Sequence, residues 1–238
     1  MEHAKEFNSS GYDSSDKVDR PSHPVIFTKR ATSITAHGDD IYIHKGFTES
    51  ADYEGEIDVI IGRAGYQIHE NDAWDYVWGY TIINDVTARE RQRDHKRFYI
   101  GKSPDTFCPM GPIAVKKEDL PDGGRFLRLQ TRVNGELRQD ATNQDLMFSI
   151  PCLVSTLSAG QTLQPGDIIA TGTESVEALR YSLKSVTRSQ SQWLGLELWR
   201  TRLPGRTRET ILCRSLDLDQ CQTFDSQMGK DQTSAKPA

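Results

Sequence analysis

Short apolar runs broken by glycine, proline and aspartate fill the middle of the 238-residue chain. Several of these runs are rich in β-branched and aromatic side chains, which favour strands over helices. An Asn-Gly pair at 134–135 adds a signal for a tight hairpin turn. The pattern predicts strands at 25–28, 41–44, 57–62, 76–84, 113–116, 126–133 and 168–171.

Helices are predicted in only a few places. Residues 86–95 follow a predicted strand and are largely polar, and residues 149–159 start with a serine that can cap a helix and a proline that fits its first turn. A helical fragment is predicted at 3–8, before a loop at 9–23 that is rich in serine, aspartate and glycine. The predicted fold class is therefore mainly β, a β-rich α+β arrangement with few short helices.

The bulk composition narrows the function classes. The net charge is −5 and no basic block is present, which argues against a nucleic-acid-binding protein. No apolar run approaches the length that crosses a bilayer, and the first residues lack the features of a secretory signal. Four cysteines without metal-ligand spacing favour free thiols in a reducing compartment. We expect a cytoplasmic protein, or a mitochondrial one if further residues precede Met1, with no membrane or nucleic-acid partner.

Three acids are the clearest candidates for chemistry. Glu54 and Glu56 stand two residues apart where a predicted strand begins, and Asp85 directly follows the next long strand. Side chains two apart in a strand point to one face, so two carboxylates there repel each other unless a cation offsets the charge. Oxygen-only ligands suit Mg²⁺, Mn²⁺ or Ca²⁺. On spacing alone, a solvated acidic strand face is the alternative.

Cationic and amide side chains follow the third acid closely in the sequence. Arg89 and Gln92 would share one helix face with Asp85, and an arginine with an amide beside a metal suits an anionic, oxygen-rich substrate. Lys102 lies among glycines and prolines that fix the backbone, in a segment that lacks the features of a Walker loop. A solvated helix and a surface lysine are the alternatives at these positions.

His3 and Glu6 form a further candidate pair near the start of the chain. At a spacing of three residues they can touch on the predicted helix, and a histidine beside a carboxylate can serve as a base for water. A frayed terminal helix without a function is the alternative.

Several motifs occur together in a fixed order, namely Tyr53–Glu56, Gly79–Arg89, Gly101–Pro112, Val133–Glu136 and Leu163–Thr173. With them the chain resembles the C-terminal catalytic domain of the fumarylacetoacetate hydrolase family, in particular acylpyruvase and 2-hydroxyhepta-2,4-diene-1,7-dioate isomerase-like members. The resemblance covers residues 1 to about 173. It implies a mixed β roll or sandwich and a homodimer.

The resemblance also implies a role for each candidate residue. The three acids would bind Mg²⁺ or Mn²⁺, and a small-molecule oxoacid would be the substrate. A histidine and a glutamate would orient and deprotonate water, and a lysine would stabilise the developing negative charge. The implied assignments are catalytic His3, Glu6 and Lys102; substrate-binding Arg89, Gln92, Thr171 and Thr173; and metal-binding Glu54, Glu56 and Asp85.

The implied activity is hydrolysis of a C–C bond in an acylpyruvate or a related 1,3-dicarbonyl or 2-oxoacid, through a metal-stabilised enolate. The same enolate chemistry gives decarboxylation or tautomerisation when water is kept out. An oxaloacetate-type decarboxylase and a 2-hydroxy-dienoate isomerase are therefore alternatives. A further alternative is an inactive remnant that binds metal without turnover.

Two departures from the family pattern set the expected domain boundaries. The chain starts almost at His3, where family members carry more residues, so we expect a truncated N-terminal part. After Thr173 the family pattern stops; a reading frame shifted near residue 174 is one interpretation and a genuinely different tail is the other. We expect a lid-helix remnant and loop at 1–23, the catalytic domain at 24–173 and a divergent, partly disordered tail at 174–238. Loss of terminal strands predicts poor solubility or inactivity unless the tail repacks.

Overall fold

The computed structural model describes residues 21–133 and 135–172, together with the backbone of Gly195–Leu198. Short strands predominate in these residues and both parallel and antiparallel pairs occur, which confirms the predicted fold class. The strands are β1 (Ile34–Ala36), β2 (Ala51–Asp52), β3 (Gly55–Ile61), β4 (Val77–Asn84), β5 (Thr87–Ala88), β6 (Cys108–Met110), β7 (Val115–Lys116), β8 (Arg128–Val133), β9 (Glu136–Thr142), β10 (Ile168–Ala170) and β11 (Gly195–Leu198). The α-helices are α1 (Arg89–His95), α2 (Phe98–Lys102) and α3 (Ile150–Ser158).

One mixed sheet of six strands forms the centre of the fold. Its order is β1-β6-β4-β3-β10, and β7 pairs with β4 beside this path. The β1–β6 pair is parallel, whereas β3 runs antiparallel to both β4 and β10. Strands β11, β8 and β9 form a second sheet, and β2 and β5 form a third. The long β3–β4 pair is the platform on which the candidate site is built.

The hydrophobic core covers one face of the central sheet. In β3, Ile57 and Val59 alternate with Glu56 and Asp58, so that one face is apolar and the other carries acids. Buried side chains of β4, β8 and helix α3 pack together with the apolar face of β3. Because the core occupies that face, the acids of β3 point to the opposite side of the sheet.

Two predicted strands are wrong, because residues 25–28 and 41–44 form no strand. Their apolar side chains pack against other parts of the chain instead. Phe27 stacks on Phe98 of α2 with ring centroids 5.2 Å apart. Ile41 and Ile43 pack against a buried cluster that includes Phe107. Side-chain packing therefore takes the place of strand pairing in both short runs.

The observed helices and hairpin lie close to the positions predicted from the sequence. Helix α1 starts at Arg89 rather than at residue 86, because the two preceding residues form β5 and pair with β2. Helix α3 has the predicted cap, since Ser149 Oγ accepts a hydrogen bond from Cys152 N at 3.3 Å. Strands β8 and β9 pair on both sides of Asn134, which itself lies outside the described residues.

The tail contributes one described strand. Strand β11 pairs antiparallel with β8, in a segment whose sequence shows little strand alternation. The other residues from 173 onwards lie outside the described part of the chain, as do residues 1–20. None of the described helices has both the length and the apolar character needed to cross a membrane.

Helix α2 comes very close to β5 and α1 at Gly101. A Cβ atom there would lie 2.8 Å from Ala88 O and 3.1 Å from Gln92 N, and backbone atoms do not move aside easily. We expect Gly101→Ala to displace the helix and to lower the free energy of unfolding by about 1–3 kcal/mol. Thermal melting beside Gly160→Ala, where a Cβ has no atom within 4 Å, checks this. Equal melting temperatures for the two variants would contradict it.

Candidate active site

Hydrogen bonds near the ends of strands β3 and β4 bring Glu54 next to Asp85. Glu54 precedes β3 and Asp85 follows β4, and Asp85 N donates a hydrogen bond to Glu54 O at 2.7 Å. Asn84 Oδ1 accepts a hydrogen bond from Glu54 N at 3.0 Å. Glu56 follows two residues later, within β3. The β3–β4 pairing therefore places all three acids at one end of the strand pair.

The three carboxylates converge in the structure. Glu54, Glu56 and Asp85 each offer an oxygen atom, and these oxygens all lie within 4.8 Å of one another. All three residues are buried, and Glu54, the most accessible, is only 7% exposed. Buried carboxylates this close repel one another, and such an oxygen set is what a hard divalent cation binds. The convergence predicted from the sequence is present, while the role of metal ligand remains a prediction.

Two lysines contact these acids. Lys102 Nζ lies 2.6 Å from Asp85 Oδ2 and 2.9 Å from Glu54 Oε2. Lys29 Nζ lies 2.5 Å from Asp85 Oδ1 and also donates to the carbonyl oxygen of Lys102. The ring of Phe27 lies 5.5 Å from Lys102 Nζ, within the range of a cation–π contact. The ammonium of Lys102 is thus fixed between the acids and an aromatic ring.

Arg89 joins Glu54 to a fourth acid, Asp52. Its Nε and Nη2 lie 2.9 and 2.7 Å from Asp52 Oδ2, and its Nη1 lies 2.8 Å from Glu54 Oε1. Gln92 Oε1 accepts a longer hydrogen bond from Nη1, at 3.4 Å. Thr87 Oγ1 donates to Glu54 Oε1 at 3.0 Å. The carboxylate of Glu54 is therefore held by three side chains, Arg89, Thr87 and the lysine described above.

Burial and neighbouring charges act in opposite directions on the pKa values. Burial raises the pKa of Glu56 to about 8; Asp85 and Glu54 add repulsion, and Lys102 opposes it. Burial also acts to raise the pKa of Glu54, but Lys102 and Arg89 outweigh it and lower that pKa to about 2. Burial disfavours the ammonium of Lys102, yet Asp85 and Glu54 raise its pKa overall. Lys102 is therefore protonated at neutral pH and acts as a donor rather than as a base.

A further acid, Asp58, is buried on the same strand. It follows Glu56 by two residues on the same face of β3 and is fully buried. Neither of its carboxylate oxygens has a hydrogen-bond partner within the described part of the chain. Burial, followed by repulsion from Glu56 and Asp85, raises the pKa of Asp58 well above its ordinary value. The environment therefore favours the neutral carboxylic acid.

Removal of the Asp58 carboxylate should stabilise the metal-free protein. Because its folded-state pKa is raised, the folded state keeps a proton that the unfolded state releases, so its contribution to stability falls as pH rises above about 4. We expect Asp58→Ala to raise the free energy of unfolding by roughly 1–3 kcal/mol at pH 8, and by less near pH 4. Chemical unfolding in EDTA measures this, with the exposed Asp119→Ala as control. A variant less stable than the parent at every pH would contradict it.

Acids outnumber basic side chains at this end of the sheet among the described residues. Five acids converge on three basic side chains at this end of the sheet. Without a metal, protons on Glu56 and Asp58 offset the excess of two acids. A divalent cation would favour the ionised form of Glu56 instead, and the oxygen-only donor set fits Mg²⁺ or Mn²⁺. The acids are Asp52, Glu54, Glu56, Asp58 and Asp85, and the bases are Lys29, Arg89 and Lys102.

The remaining predicted residues have different outcomes. Thr171 lies near the site, but its Oγ1 donates to Ile57 O at 2.7 Å, so its hydroxyl hydrogen is used by the backbone. His3, Glu6 and Thr173 lie outside the described residues, and their roles remain predictions.

Several residues of the site were not predicted from the sequence. Asp52 and Asp58 continue the two-residue spacing of Glu54 and Glu56, a signal that the sequence does carry. Lys29 has no comparable signal, because it contacts an acid 56 positions away. The backbone N–H of Gly172 donates to Glu56 Oε2 at 2.8 Å, a contact that no side-chain motif can reveal.

Comparison with known proteins gives this site a family context. The sequence matches the fumarylacetoacetate (FAA) hydrolase C-terminal domain over residues 1–195. It is 50% identical over 171 residues to oxaloacetate tautomerase YisK of Bacillus subtilis. This match covers 72% of this chain and 56% of that protein. The chain spans about half the length of the curated relatives it matches.

Solved structures share the fold as well as the sequence. 2-Hydroxyhepta-2,4-diene-1,7-dioate isomerase from Mycobacterium marinum has a TM-score of 0.61 at 37% identity, covering 65% of this chain and 60% of that one. Maleylpyruvate hydrolase from Sphingobium sp. SYK-6, solved with manganese(II) and pyruvate, has a TM-score of 0.57 at 34% identity, covering 63% and 53%. On both sequence and structure, the chain belongs to the fumarylacetoacetate hydrolase family.

Proposed function

We propose that the protein is a divalent-metal-dependent enzyme that interconverts the keto and enol forms of a 2-oxoacid, with oxaloacetate as the first substrate to test. The observation that carries this proposal is the buried group of three acids with Lys102 bonded to two of them. The names of two relatives, a tautomerase and an isomerase, support the same class of reaction.

Glu54, Glu56 and Asp85 would hold the metal ion. A divalent ion bound there supplies Lewis-acid chemistry, polarising the oxygen atoms of a substrate that chelates it. Asp85 has both oxygens engaged by lysines, so it would exchange one lysine contact for the ion. Of these three acids, Glu56 is the one without an ion pair to a lysine in the described part of the chain, and its raised pKa indicates that a positive neighbour would stabilise its ionised form.

Lys102 would stabilise negative charge on the substrate. An enol or enolate carries more charge on oxygen than the keto form does, and a fixed ammonium aimed at that oxygen lowers the barrier. Lys102 is buried, charged and held by Asp85 and Glu54, so little reorganisation is required when the charge develops. Arg89 and Gln92 line the same group and would orient the carboxylate of the oxoacid.

Hydrolysis of a C–C bond is the second candidate function. The relative solved with manganese and pyruvate is a maleylpyruvate hydrolase, which favours this alternative. Hydrolysis needs a base that activates water, and the predicted pair for that step, His3 and Glu6, lies outside the described residues. Keto–enol interconversion makes fewer demands, since it needs only proton transfer and charge stabilisation. An oxaloacetate-type decarboxylase would use the same acids and Lys102.

Assays on the full chain separate these functions. With Mn²⁺ or Mg²⁺, we expect oxaloacetate to convert between enol and keto forms faster than it releases pyruvate, and faster than acetylpyruvate is cleaved. The conversion is followed by enol absorbance, decarboxylation and hydrolysis by pyruvate formation. EDTA should abolish the rate and added Mn²⁺ should restore it. Metal binding without turnover of either compound would instead identify an inactive remnant.

A further inference from the structure

Asp52 binds the guanidinium of Arg89 through two hydrogen bonds. It is 1% exposed, and its Oδ2 accepts hydrogen bonds from both Nε and Nη2 of Arg89, at 2.9 and 2.7 Å. The backbone N–H of Tyr53 donates to its other oxygen, Oδ1, at 3.0 Å. The carboxylate therefore has a fixed orientation, and it fixes two of the three guanidinium nitrogens.

The third nitrogen of the guanidinium contacts one of the three acids that would bind the metal. Nη1 of Arg89 lies 2.8 Å from Glu54 Oε1. On the two-stranded sheet, Asp52 is the direct partner of Thr87, and Thr87 Oγ1 donates to the same Oε1 at 3.0 Å. The β2–β5 pair thus presents two groups that orient one carboxylate oxygen of Glu54.

We propose that Asp52 is a positioning residue for the metal site and that it acts through Arg89. An arginine beside a single carboxylate tends to form a two-point ion pair with it. By holding Nε and Nη2, Asp52 keeps Arg89 from closing such a pair with Glu54, and the carboxylate of Glu54 stays directed towards Glu56 and Asp85. The inference rests on the proposed metal site and adds to it a residue that contacts neither metal nor substrate.

A purely structural role for Asp52 predicts something different. In that case, loss of the carboxylate would lower the stability of the protein without a selective effect on metal affinity. In our proposal, Asp52→Asn frees the guanidinium to compete with the cation for the carboxylate of Glu54, which weakens that ligand without removing it. Outer contacts of metal ligands typically contribute a factor of 10–100 in metal affinity, so we expect Mn²⁺ to bind about tenfold more weakly.

The experiment is a two-by-two cycle on the full chain, with Asp52→Asn and Arg89→Gln made singly and together. Electron paramagnetic resonance of free Mn²⁺ gives each dissociation constant, and thermal melting in EDTA reports folding. In the parent background, Asp52→Asn should weaken binding about tenfold. In the Arg89→Gln background, the same change should alter the constant by less than about twofold, because the intermediary is absent.

The control Asp94→Asn breaks the exposed Arg91–Asp94 pair, 3.4 Å long, and should leave Mn²⁺ binding unchanged. Should Asp52→Asn not fold, Asp52→Ser takes its place in the cycle with the same expected result. An unchanged constant in the parent background, or an equal loss in both backgrounds, would overturn the positioning role while the proposed function stands. A parent protein that binds no Mn²⁺ would overturn both.

Discussion

Replacement of Glu56 by glutamine should remove metal binding while leaving the metal-free protein folded. Because burial raises the pKa of Glu56 to about 8, the metal-free parent carries a proton there at pH 7. Glutamine has nearly the same shape and charge as that state, and its amide oxygen can still accept the hydrogen bond from Gly172 N. We expect the free energy of unfolding in EDTA to change by less than about 1.5 kcal/mol, the contribution of one hydrogen bond.

The effect on the metal should be large. Loss of one of three protein ligands should weaken Mn²⁺ binding by more than about a hundredfold, since even outer contacts contribute 10–100-fold. Turnover of oxaloacetate should be lost with it. The matched control is Glu118→Gln, at an exposed position, which should retain both properties. Unchanged Mn²⁺ affinity in the Glu56 variant would refute its role as a ligand.

Replacement of Lys102 by methionine should lower the rate of catalysis while metal binding is retained or strengthened. Methionine is of similar length but lacks the ammonium that donates to Asp85 and Glu54. Removal of a preorganised donor from a buried site should lower kcat on the order of 10²–10³-fold. Metal affinity should be retained or increased, because the lysine occupies carboxylate oxygens that the ion would use.

This divergence separates a catalytic lysine from a structural one. Asp85 keeps its contact with Lys29 and Glu54 keeps its contact with Arg89, so the metal-free variant should lose no more than the roughly 3–5 kcal/mol of a fully broken buried pair. Kinetics are therefore measured at saturating Mn²⁺. The exposed Lys45→Met serves as control and should have the kcat of the parent. Parallel loss of Mn²⁺ binding and of turnover in the Lys102 variant would show that the lysine organises the site rather than acting on the substrate.

The sequence predicted the central part of the fold because local pattern and tertiary structure agree there. The runs that became β3 and β4 are long, apolar and bounded by turn residues, and they pair along most of their length. Glu54 and Asp85 flank these strands, so their convergence follows once the strands pair antiparallel. Short runs such as 25–28 lack this agreement, since their burial depends on the position of Phe98, which local pattern cannot reveal.

The parts of the site that escaped prediction depend on contacts between distant segments. Lys29 contacts Asp85 from a segment without regular structure. Helix α1 starts three residues later than predicted because residues 87–88 form β5, which pairs with β2. Asp52 is different, because its two-residue spacing from Glu54 was visible in the sequence. A solvated acidic face would show the same spacing, and only burial with a guanidinium partner distinguishes the two.

In the proposed metal site, three acids at the ends of two neighbouring strands share one cation. Crystals of the full chain grown with Mn²⁺ test it directly, because manganese can be located by its anomalous scattering. We expect one strong peak in contact with an oxygen of each of Glu54, Glu56 and Asp85, with Lys102 Nζ still beside the acids. A peak elsewhere, or acids that stay paired with lysines in saturating Mn²⁺ without a peak between them, would contradict it.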